Sequence, residues 1–163
     1  MKTWNKREEW TDKDGLTFTL GRAFIEDRPR IEEMYDGPHG NTSFQGLPPP
    51  GPEARSAWIA HLVEGAITIC AWLEGKVVGH ASLFVDREER DAEFLLFVAQ
   101  PFRNRGLGTR LTMMALDCAR ELSLKQVWLT VEVYNFRAAS VFEKCGFVVS
   151  DRSGGERTMI VKL

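Results

Sequence analysis

The chain has 163 residues, of which 27% are charged and 44% are apolar, a composition typical of one globular domain rather than of a disordered chain. Lysine and arginine together number 21 against 23 aspartate and glutamate residues, so the formal net charge is −2. This balance argues against a protein that covers many nucleic-acid phosphates, and we expect no nucleic-acid partner.

Apolar periodicity predicts the order of helices and strands along the chain. A strand at Leu16 to Ile25 and a short helix at Glu26 to Tyr35 precede a loop rich in glycine and proline, Asp36 to Pro52. The order of the elements predicts an α/β or α+β domain with one sheet and helices on both of its faces. The later helices are predicted at Pro52 to Glu64, Gly106 to Leu122 and Asn135 to Lys144, and the later strands at Ile67 to Leu73, Lys76 to Val85, Ala92 to Ala99, Gln126 to Tyr134, Phe147 to Ser150 and Arg157 to Leu163. In the helix from Gly106 to Leu122, apolar residues recur at helical spacing and predict a buried stripe made of Leu111, Met114, Ala115, Cys118 and Leu122.

One hairpin allows a prediction of strand register. Residues 74–75 form a two-residue turn, and an uninterrupted ladder beyond it places Cys70 opposite Gly79 and His80 opposite Ile69. Cys70 and His80 would then lie on opposite faces of the sheet, so we do not expect them to form a catalytic pair.

Several features bear on the location of the protein and on its ligands. The longest apolar runs, such as Ala66 to Leu73, are far below the ~20 residues that cross a bilayer, so no membrane partner is expected. The N-terminal residues have a basic start without an apolar stretch behind it, which predicts a cytoplasmic protein without a secretory signal. Three widely spaced cysteines without a Cys-x-x-Cys pair predict reduced thiols and no metal site.

The segment from Phe94 to Leu111 carries the clearest chemical signal, because an apolar strand there runs through a short loop into the first turn of a helix. Helix starts have unpaired N–H groups and a partial positive charge, and they therefore attract anions. Gly106 and Gly108 leave room for a ligand to approach, which indicates a phosphate-bearing guest, although tight packing of helix against strand would also favour glycines. Positive charge is added by Arg103, Arg105 and Arg110.

Two common nucleotide motifs do not fit this segment. A P-loop requires Gly-Lys-Ser or Gly-Lys-Thr, which does not follow the glycines, and Leu111 stands where a third Rossmann glycine would be. The run Arg103-x-x-Gly106-x-Gly108 instead resembles the signature of the GNAT N-acetyltransferase superfamily, which is Arg or Gln, two residues, Gly, one residue, then Gly or Ala.

A second segment strengthens the resemblance to this superfamily. Residues 135–147 follow the family pattern Asn-x-x-Ala-x-x-x-Tyr-x-Lys-x-Gly-Phe, with Phe142 in the place of the tyrosine. The resemblance extends from about Leu16 to the end of the chain. It predicts an N-acetyltransferase domain at 16–163 that follows an N-terminal extension at 1–15.

The resemblance implies a fold and a cofactor. The fold is a single GNAT-like domain with a splayed mixed sheet of about seven strands, flanked by four helices. Acetyl-CoA is the implied cofactor and co-substrate, with its pantetheine between the fourth and fifth strands of the family's sheet. Val98 would offer backbone groups to pantetheine, the loop amides would hold the pyrophosphate, and Asn135 would bond the cofactor arm. The implied cofactor-binding residues are Val98, Arg103, Arg105, Gly106, Leu107, Gly108, Thr109, Arg110, Asn135 and Phe142.

The implied reaction is direct attack of an amine on the thioester in a ternary complex. An alkyl amine with a pKa of ~10.4 is mostly protonated at neutral pH, so a base is needed. Glu93 at the start of the motif strand and Glu132 near the end of the next strand are both candidates, and each could equally be a solvated strand residue. Phe142 cannot protonate the leaving thiolate, whereas Tyr134 could.

Two interpretations of function therefore stay open. The first is an N-acetyltransferase, and its rival is an acyl-CoA-binding module with little or no catalysis, suggested by the phenylalanine at position 142. The acceptor would be an amine on a small molecule or on a protein, and the sequence carries no motif that chooses between them. The oligomeric state, including a homodimer, stays open as well.

Overall fold

A single mixed sheet organises the computed structural model, which describes residues 3–38 and 47–163. Its strands are β1 (Glu8–Thr11), β2 (Thr17–Arg22), β3 (Ile67–Leu73), β4 (Lys76–Asp86), β5 (Asp91–Val98), β6 (Gln126–Glu132), β7 (Val148–Ser153) and β8 (Glu156–Lys162). Their order across the sheet is β1-β2-β3-β4-β5-β6-β8-β7. The seven strands expected beyond residue 15 are confirmed, and β1, from the N-terminal extension, adds an eighth at one edge.

Four helices flank the sheet, as the sequence predicts. They are α1 (Arg28–Asp36), α2 (Pro52–Glu64), α3 (Leu107–Glu121) and α4 (Phe136–Lys144). The predicted first helix begins later than expected, because a 3₁₀ turn at Ile25–Asp27 precedes it. Residues 39–46 of the predicted loop lie outside the described residues. Within the described parts of the chain, no helix combines the length and the apolar character needed to cross a membrane.

The two faces of the sheet carry separate cores. On one face the buried stripe of α3 that the sequence predicts, including Leu111, Ala115 and Cys118, packs on Phe94 of β5, and α4 joins this core through Phe142. The opposite face is covered by α1 and α2. That second core contains Ile31, Tyr35, Ile59, Leu62, Cys70, Trp72 and Phe97.

The sheet parts in its middle. Every neighbouring pair of strands is antiparallel except β5 and β6, which run parallel. Their pairing comprises three positions and ends where Glu93 faces Trp128, so the later residues of both strands diverge. Phe94 to Val98 of β5 therefore pair with β4 on one side and border a gap on the side of β6.

The predicted register of the β3–β4 hairpin is wrong by one residue. A bulge next to Ala71 shifts the ladder, so that Ala71 faces Gly79 and Cys70 faces His80. Cys70 and His80 therefore lie on the same face. They still do not form a nucleophilic pair, because burial raises the pKa of the Cys70 thiol well above its usual range and the ring nitrogens of His80 bond other groups.

His80 belongs to a chain of buried hydrogen bonds whose direction can be worked out. Thr68 Oγ1 donates to the Leu62 carbonyl at 2.6 Å, so it accepts from Ser82 Oγ at 2.7 Å. Ser82 Oγ in turn accepts from Nδ1–H of His80 at 3.0 Å, which leaves Nε2 to accept from the Tyr35 hydroxyl at 2.6 Å. His80 is therefore the neutral Nδ1–H tautomer, and burial lowers its pKa to about 3.

The N-terminal strand is tied to the start of α3 by charge. The buried Asp12 carboxylate accepts from the amides of Asp14 and Leu16, each at 2.9 Å, and from Arg105 Nη1, also at 2.9 Å. Its burial opposes ionisation, but these donors outweigh that effect and lower the pKa of Asp12. Beside this ion pair, Glu8 accepts from Arg110.

The buried neutral His80 predicts a loss of stability in mild acid. The unfolded chain binds a proton at this histidine below pH ~6.5, whereas the folded protein does so only near pH 3. The free energy of unfolding should therefore fall by about 1.4 kcal/mol between pH 7.5 and pH 5.5 from this group. Urea titrations at both pH values measure the fall. His80→Gln should remove it and the exposed His61→Gln should retain it, so an unchanged fall in His80→Gln would refute the assignment.

The Asp12 ion pair predicts unequal effects of two neighbouring substitutions. Asp12→Asn should lower Tm by about 5 °C, because a buried carboxylate with three donors is replaced by an amide that is itself a donor. Asp14→Asn is the matched control, since Asp14 contacts the same arginine at 3.3 Å from a side chain that is 55% exposed. Thermal unfolding of both variants decides, and equal shifts in Tm would contradict the central role of Asp12.

Candidate active site

The gap between β5 and β6 presents backbone groups of Val98. Val98 faces Gly79 of β4, and the next ladder bond runs from Ala99 N–H to the Val78 carbonyl at 2.9 Å. In an antiparallel ladder this pattern identifies Val98 and Gly79 as a pair without mutual hydrogen bonds, so the N–H and C=O of Val98 point away from β4 and into the gap. Arg103 Nε donates to this carbonyl at 2.8 Å.

The mouth of the gap is formed by the first turn of α3. Gly106 caps this helix at a φ of +86°, a left-handed conformation that favours glycine. The first bond of the helical ladder runs from Arg110 N–H to the Gly106 carbonyl at 3.0 Å. The amides of Leu107, Gly108 and Thr109 therefore precede the helical ladder, at the position where the sequence predicts an anion site.

Gly108 has a packing role in addition to its place at the helix start. A Cβ atom there would lie 3.3 Å from Cδ2 of Leu96 in β5 and 3.8 Å from Cγ2 of Val98. The small residue lets the helix approach the strand that borders the gap. Both explanations of the glycine pair, close packing and access for a ligand, are thus compatible with the structure.

The arginines of the motif differ in their surroundings. Arg105 and Arg110 are paired with carboxylates of the N-terminal extension. Arg103 is held on the Val98 carbonyl, and its pKa is lowered by burial and by the positive charge of nearby Arg137. Two guanidinium groups close together favour an anion between them. Sequence reasoning missed Arg137, because its closeness to Arg103 depends on the packing of α4.

Glu93 and Glu132, the two predicted bases, lie on the same face of the sheet but are separated along the strand direction. Glu93 pairs with Trp128, the last paired position before the strands diverge, and Glu132 lies four residues beyond Trp128, or ~13 Å along the strand. Partial burial raises the pKa of the Glu93 carboxyl. A raised pKa is what a carboxylate needs to accept a proton near neutral pH.

Glu93 opens into a pocket between α2 and the sheet, with a volume of about 270 Å³. Sequence reasoning assigned neither His61 nor Trp58 a functional role, and Trp58 was expected only on the apolar face of its helix, yet both residues line this pocket. The signal available in the sequence was their spacing of three on one helix. The described lining residues are Leu47, Trp58, His61, Phe84, Glu93 and Leu95.

The start of α4 borders the opposite side of the gap. Asn135 Oδ1 accepts from the Ala138 amide at 3.2 Å and caps the helix, a role that uses only the oxygen of the carboxamide. Tyr134 lies in the preceding turn and is 85% exposed. Phe142 is buried, and its ring packs edge to face with Phe94 and Phe147 at centroid distances of 5.9 and 5.8 Å.

The described residues contain no group of three or more histidine, cysteine, aspartate or glutamate side chains placed to hold a metal ion. The features that the fold does bring together are a backbone edge, free helix amides, arginines and one partly buried carboxylate. These suit a long ligand with phosphates at one end.

Comparison with known proteins agrees with this geometry. Residues 29–147 match the Acetyltransferase (GNAT) family. The chain is 32% identical over 136 residues to the L-amino acid N-acetyltransferase AaaT of Escherichia coli strain K12, an alignment that covers 80% of this chain and 82% of that protein.

Solved structures show the same fold at low identity. The GNAT domain of S. lividans PAT superposes with a TM-score of 0.83 at 15% identity, covering 96% of this chain and 97% of that chain. Spermidine N-acetyltransferase from Vibrio cholerae, in complex with CoA and spermine, has a TM-score of 0.71 at 20% identity over 89% of this chain and 95% of that chain. The resemblance found in the sequence motifs is confirmed: the chain belongs to the GNAT acetyltransferase family and is an N-acetyltransferase, an enzyme that moves an acyl group from acyl-CoA to an amine.

Proposed function

We propose that this enzyme transfers an acetyl group from acetyl-CoA to a primary amine by direct attack of the amine in a ternary complex. The observation that carries the proposal is the parting of β5 from β6 after Glu93. It aligns the free amides of α3, the backbone of Val98 and the carboxylate of Glu93 along one gap. That is the order in which the phosphates, pantetheine and thioester of acetyl-CoA follow one another.

The residues present fit this donor. The amides of Leu107, Gly108 and Thr109 would bind the pyrophosphate, with the charges of Arg103 and Arg137 beside them. The backbone of Val98 would pair with the amides of pantetheine, much as a neighbouring strand would. Asn135 keeps its amide nitrogen for the cofactor arm while its oxygen caps α4.

Glu93 would act on the acceptor. Acetyl-CoA supplies an activated thioester carbonyl, which an amine attacks only through its lone pair. Glu93 would take the proton that masks this lone pair, directly or through one water, and its raised pKa suits that exchange. Glu132 stays the second candidate for the base. It lies ~13 Å along β6 from Trp128, the residue that pairs with Glu93.

The departing thiol needs little help from the protein. Phe142 cannot donate a proton, and its ring is enclosed by other phenylalanines. A simple thiol has a pKa of ~8.5, so its anion is a tolerable leaving group near neutral pH. We propose that the exposed Tyr134 hydroxyl or water supplies the proton, and that turnover does not depend on an acid at position 142.

The donor site predicts a phosphate-specific loss in one arginine variant. Arg103→Gln should raise the Kd for CoA about tenfold, because one charged donor to the phosphates is lost. The Kd for pantetheine, which has no phosphates, should change far less. Arg120→Gln, at the far end of the same helix and paired with Asp117, is the matched control and should leave both values unchanged. Calorimetric titration measures all four. An unchanged affinity of Arg103→Gln for CoA would refute the site.

The base assignment predicts a difference between two glutamine variants. Glu93→Gln should lower kcat about a hundredfold at pH 7 and flatten the acid limb of the kcat/KM profile, since that limb reports the essential base of the free enzyme. Glu132→Gln is the control on the same face and should retain both. Steady-state kinetics with one amine from pH 5.5 to 9 tests this. A damaging Glu132→Gln beside a harmless Glu93→Gln would transfer the role to Glu132.

A further inference from the structure

We propose that the pocket beside Glu93 binds the acceptor, and that this acceptor is a small primary amine attached to an aromatic ring. The inference rests on the proposed function and deepens it, because it names the class of amine. Its basis is the aromatic walls of the pocket, the single carboxylate among the described lining residues and the volume of the pocket.

Rings form the walls of the pocket. Trp58 and His61 project from α2, and Phe84 and Leu95 lie on neighbouring strands beneath them. The His61 ring stacks on Phe84 at a centroid distance of 5.4 Å and an angle of 29°. Flat surfaces of this kind favour a flat guest over a flexible chain, because aromatic pairs add to simple apolar burial.

The arrangement of these rings is built into the backbone. Gly65 ends α2 at a φ of −101°, which any residue can adopt, so its glycine is not required by the turn. A Cβ at Gly65 would instead lie 2.4 Å from ring atoms of His61. The glycine therefore makes room for the His61 ring to lean over Phe84. On the other side, Trp58 packs edge to face against Tyr35 at 5.4 Å.

Tyr35 connects the pocket wall to the buried hydrogen-bond network, because its ring packs against Trp58 and its hydroxyl bonds His80. Its hydroxyl donates to His80 at 2.6 Å, and the chain of hydrogen bonds continues to Ser82 and Thr68. The wall that contains Trp58 is thus formed before a ligand arrives. A preformed wall lowers the entropy lost on binding.

Charge and size define the rest of the acceptor. Among the lining residues that the structure describes, Glu93 carries the one carboxylate, which fits a single ammonium group beside it. A polyamine would leave further ammonium groups among the rings without a carboxylate. A volume of about 270 Å³ equals roughly nine waters at ~30 Å³ each, enough for one ring and a short amine arm.

A panel of three amines tests the proposed class. 2-Phenylethylamine has the ring and one amine, 2-cyclohexylethylamine has the same carbon count without a flat ring, and spermidine has three amines and no ring. With saturating acetyl-CoA, kcat/KM should be about fivefold higher for 2-phenylethylamine than for the cyclohexyl compound and about a hundredfold higher than for spermidine. Equal values for the two ring compounds, or a preference for spermidine, would overturn the inference.

Two variants of the pocket connect the preference to these residues. Phe84→Leu should raise the KM for 2-phenylethylamine about fivefold and abolish the preference over the cyclohexyl amine, with the KM for acetyl-CoA unchanged. Gly65→Ala should act in the same direction, by displacing the His61 ring. Phe24→Leu is the matched control, since Phe24 is an exposed phenylalanine outside the pocket, and it should change nothing. An unaltered preference in both pocket variants would refute the assignment of the walls.

The measurements also separate this inference from the proposed function. Turnover of some amine without an aromatic preference would refute the acceptor class and leave the proposed function standing. Absence of turnover for every amine, together with no calorimetric binding of CoA, would refute the proposed function itself. Calorimetric titration of 2-phenylethylamine into the CoA-bound protein gives a readout independent of turnover. A Kd raised about fivefold in Phe84→Leu and unchanged in Phe24→Leu is the supporting result.

Discussion

The parting of β5 and β6 is the constraint on which the rest of the site depends. A sheet that opens in its middle leaves backbone N–H and C=O groups facing a gap, and buried groups of this kind need partners. Arg103 satisfies the Val98 carbonyl from the loop that follows β5, and the same loop delivers the first turn of α3 to the mouth of the gap. A ligand with amide groups and phosphates is complementary to both. In the proposed function this opening holds the acyl donor, and the proposed roles of the other functional residues follow from their positions along it.

The N-terminal extension packs against the start of α3, which borders the gap between β5 and β6. Trp10 lies below Gly106, where an added Cβ would be 3.8 Å from the indole, and Glu8 and Asp12 bind two arginines of the phosphate motif. The ion pairs of Arg105 and Arg110 thus hold β1 against the start of α3. In the structure the motif arginines divide into Arg105 and Arg110, which anchor β1, and Arg103, which donates to the Val98 carbonyl. The division involves pairs about 90 to 100 residues apart, which local sequence patterns do not reveal.

What could be predicted from the sequence depended on short-range order. The stripe on α3, the glycines at its start and the turn at Glu74 follow from periodicity and turn chemistry, and all are found in the structure. The predicted register of the β3–β4 hairpin was wrong because the sequence gives no signal for the bulge next to Ala71. Both faces of β3 are buried, so its residues do not alternate between apolar and polar in a way that would reveal a shift. His61 was missed for a related reason: its exposure on the helix is real, and only the approach of Phe84 from the sheet makes it part of a pocket.

Two groups on the same face of the sheet, His80 and Glu93, respond differently to acid, and this separates stability from chemistry. On the face covered by α1 and α2, His80 lowers the free energy of unfolding as the pH falls below ~6.5, because only the unfolded chain binds a proton at this residue. Glu93, on the same face, is the proposed base, and it would lose that role when the pH falls through its raised pKa, in a protein that is still folded. Both effects lower activity in acid, yet only the first depends on the buried network that holds Tyr35 and, through it, Trp58. His80 therefore contributes to a decline in activity that follows the folded fraction, whereas the proposed base Glu93 would contribute a decline within the folded population.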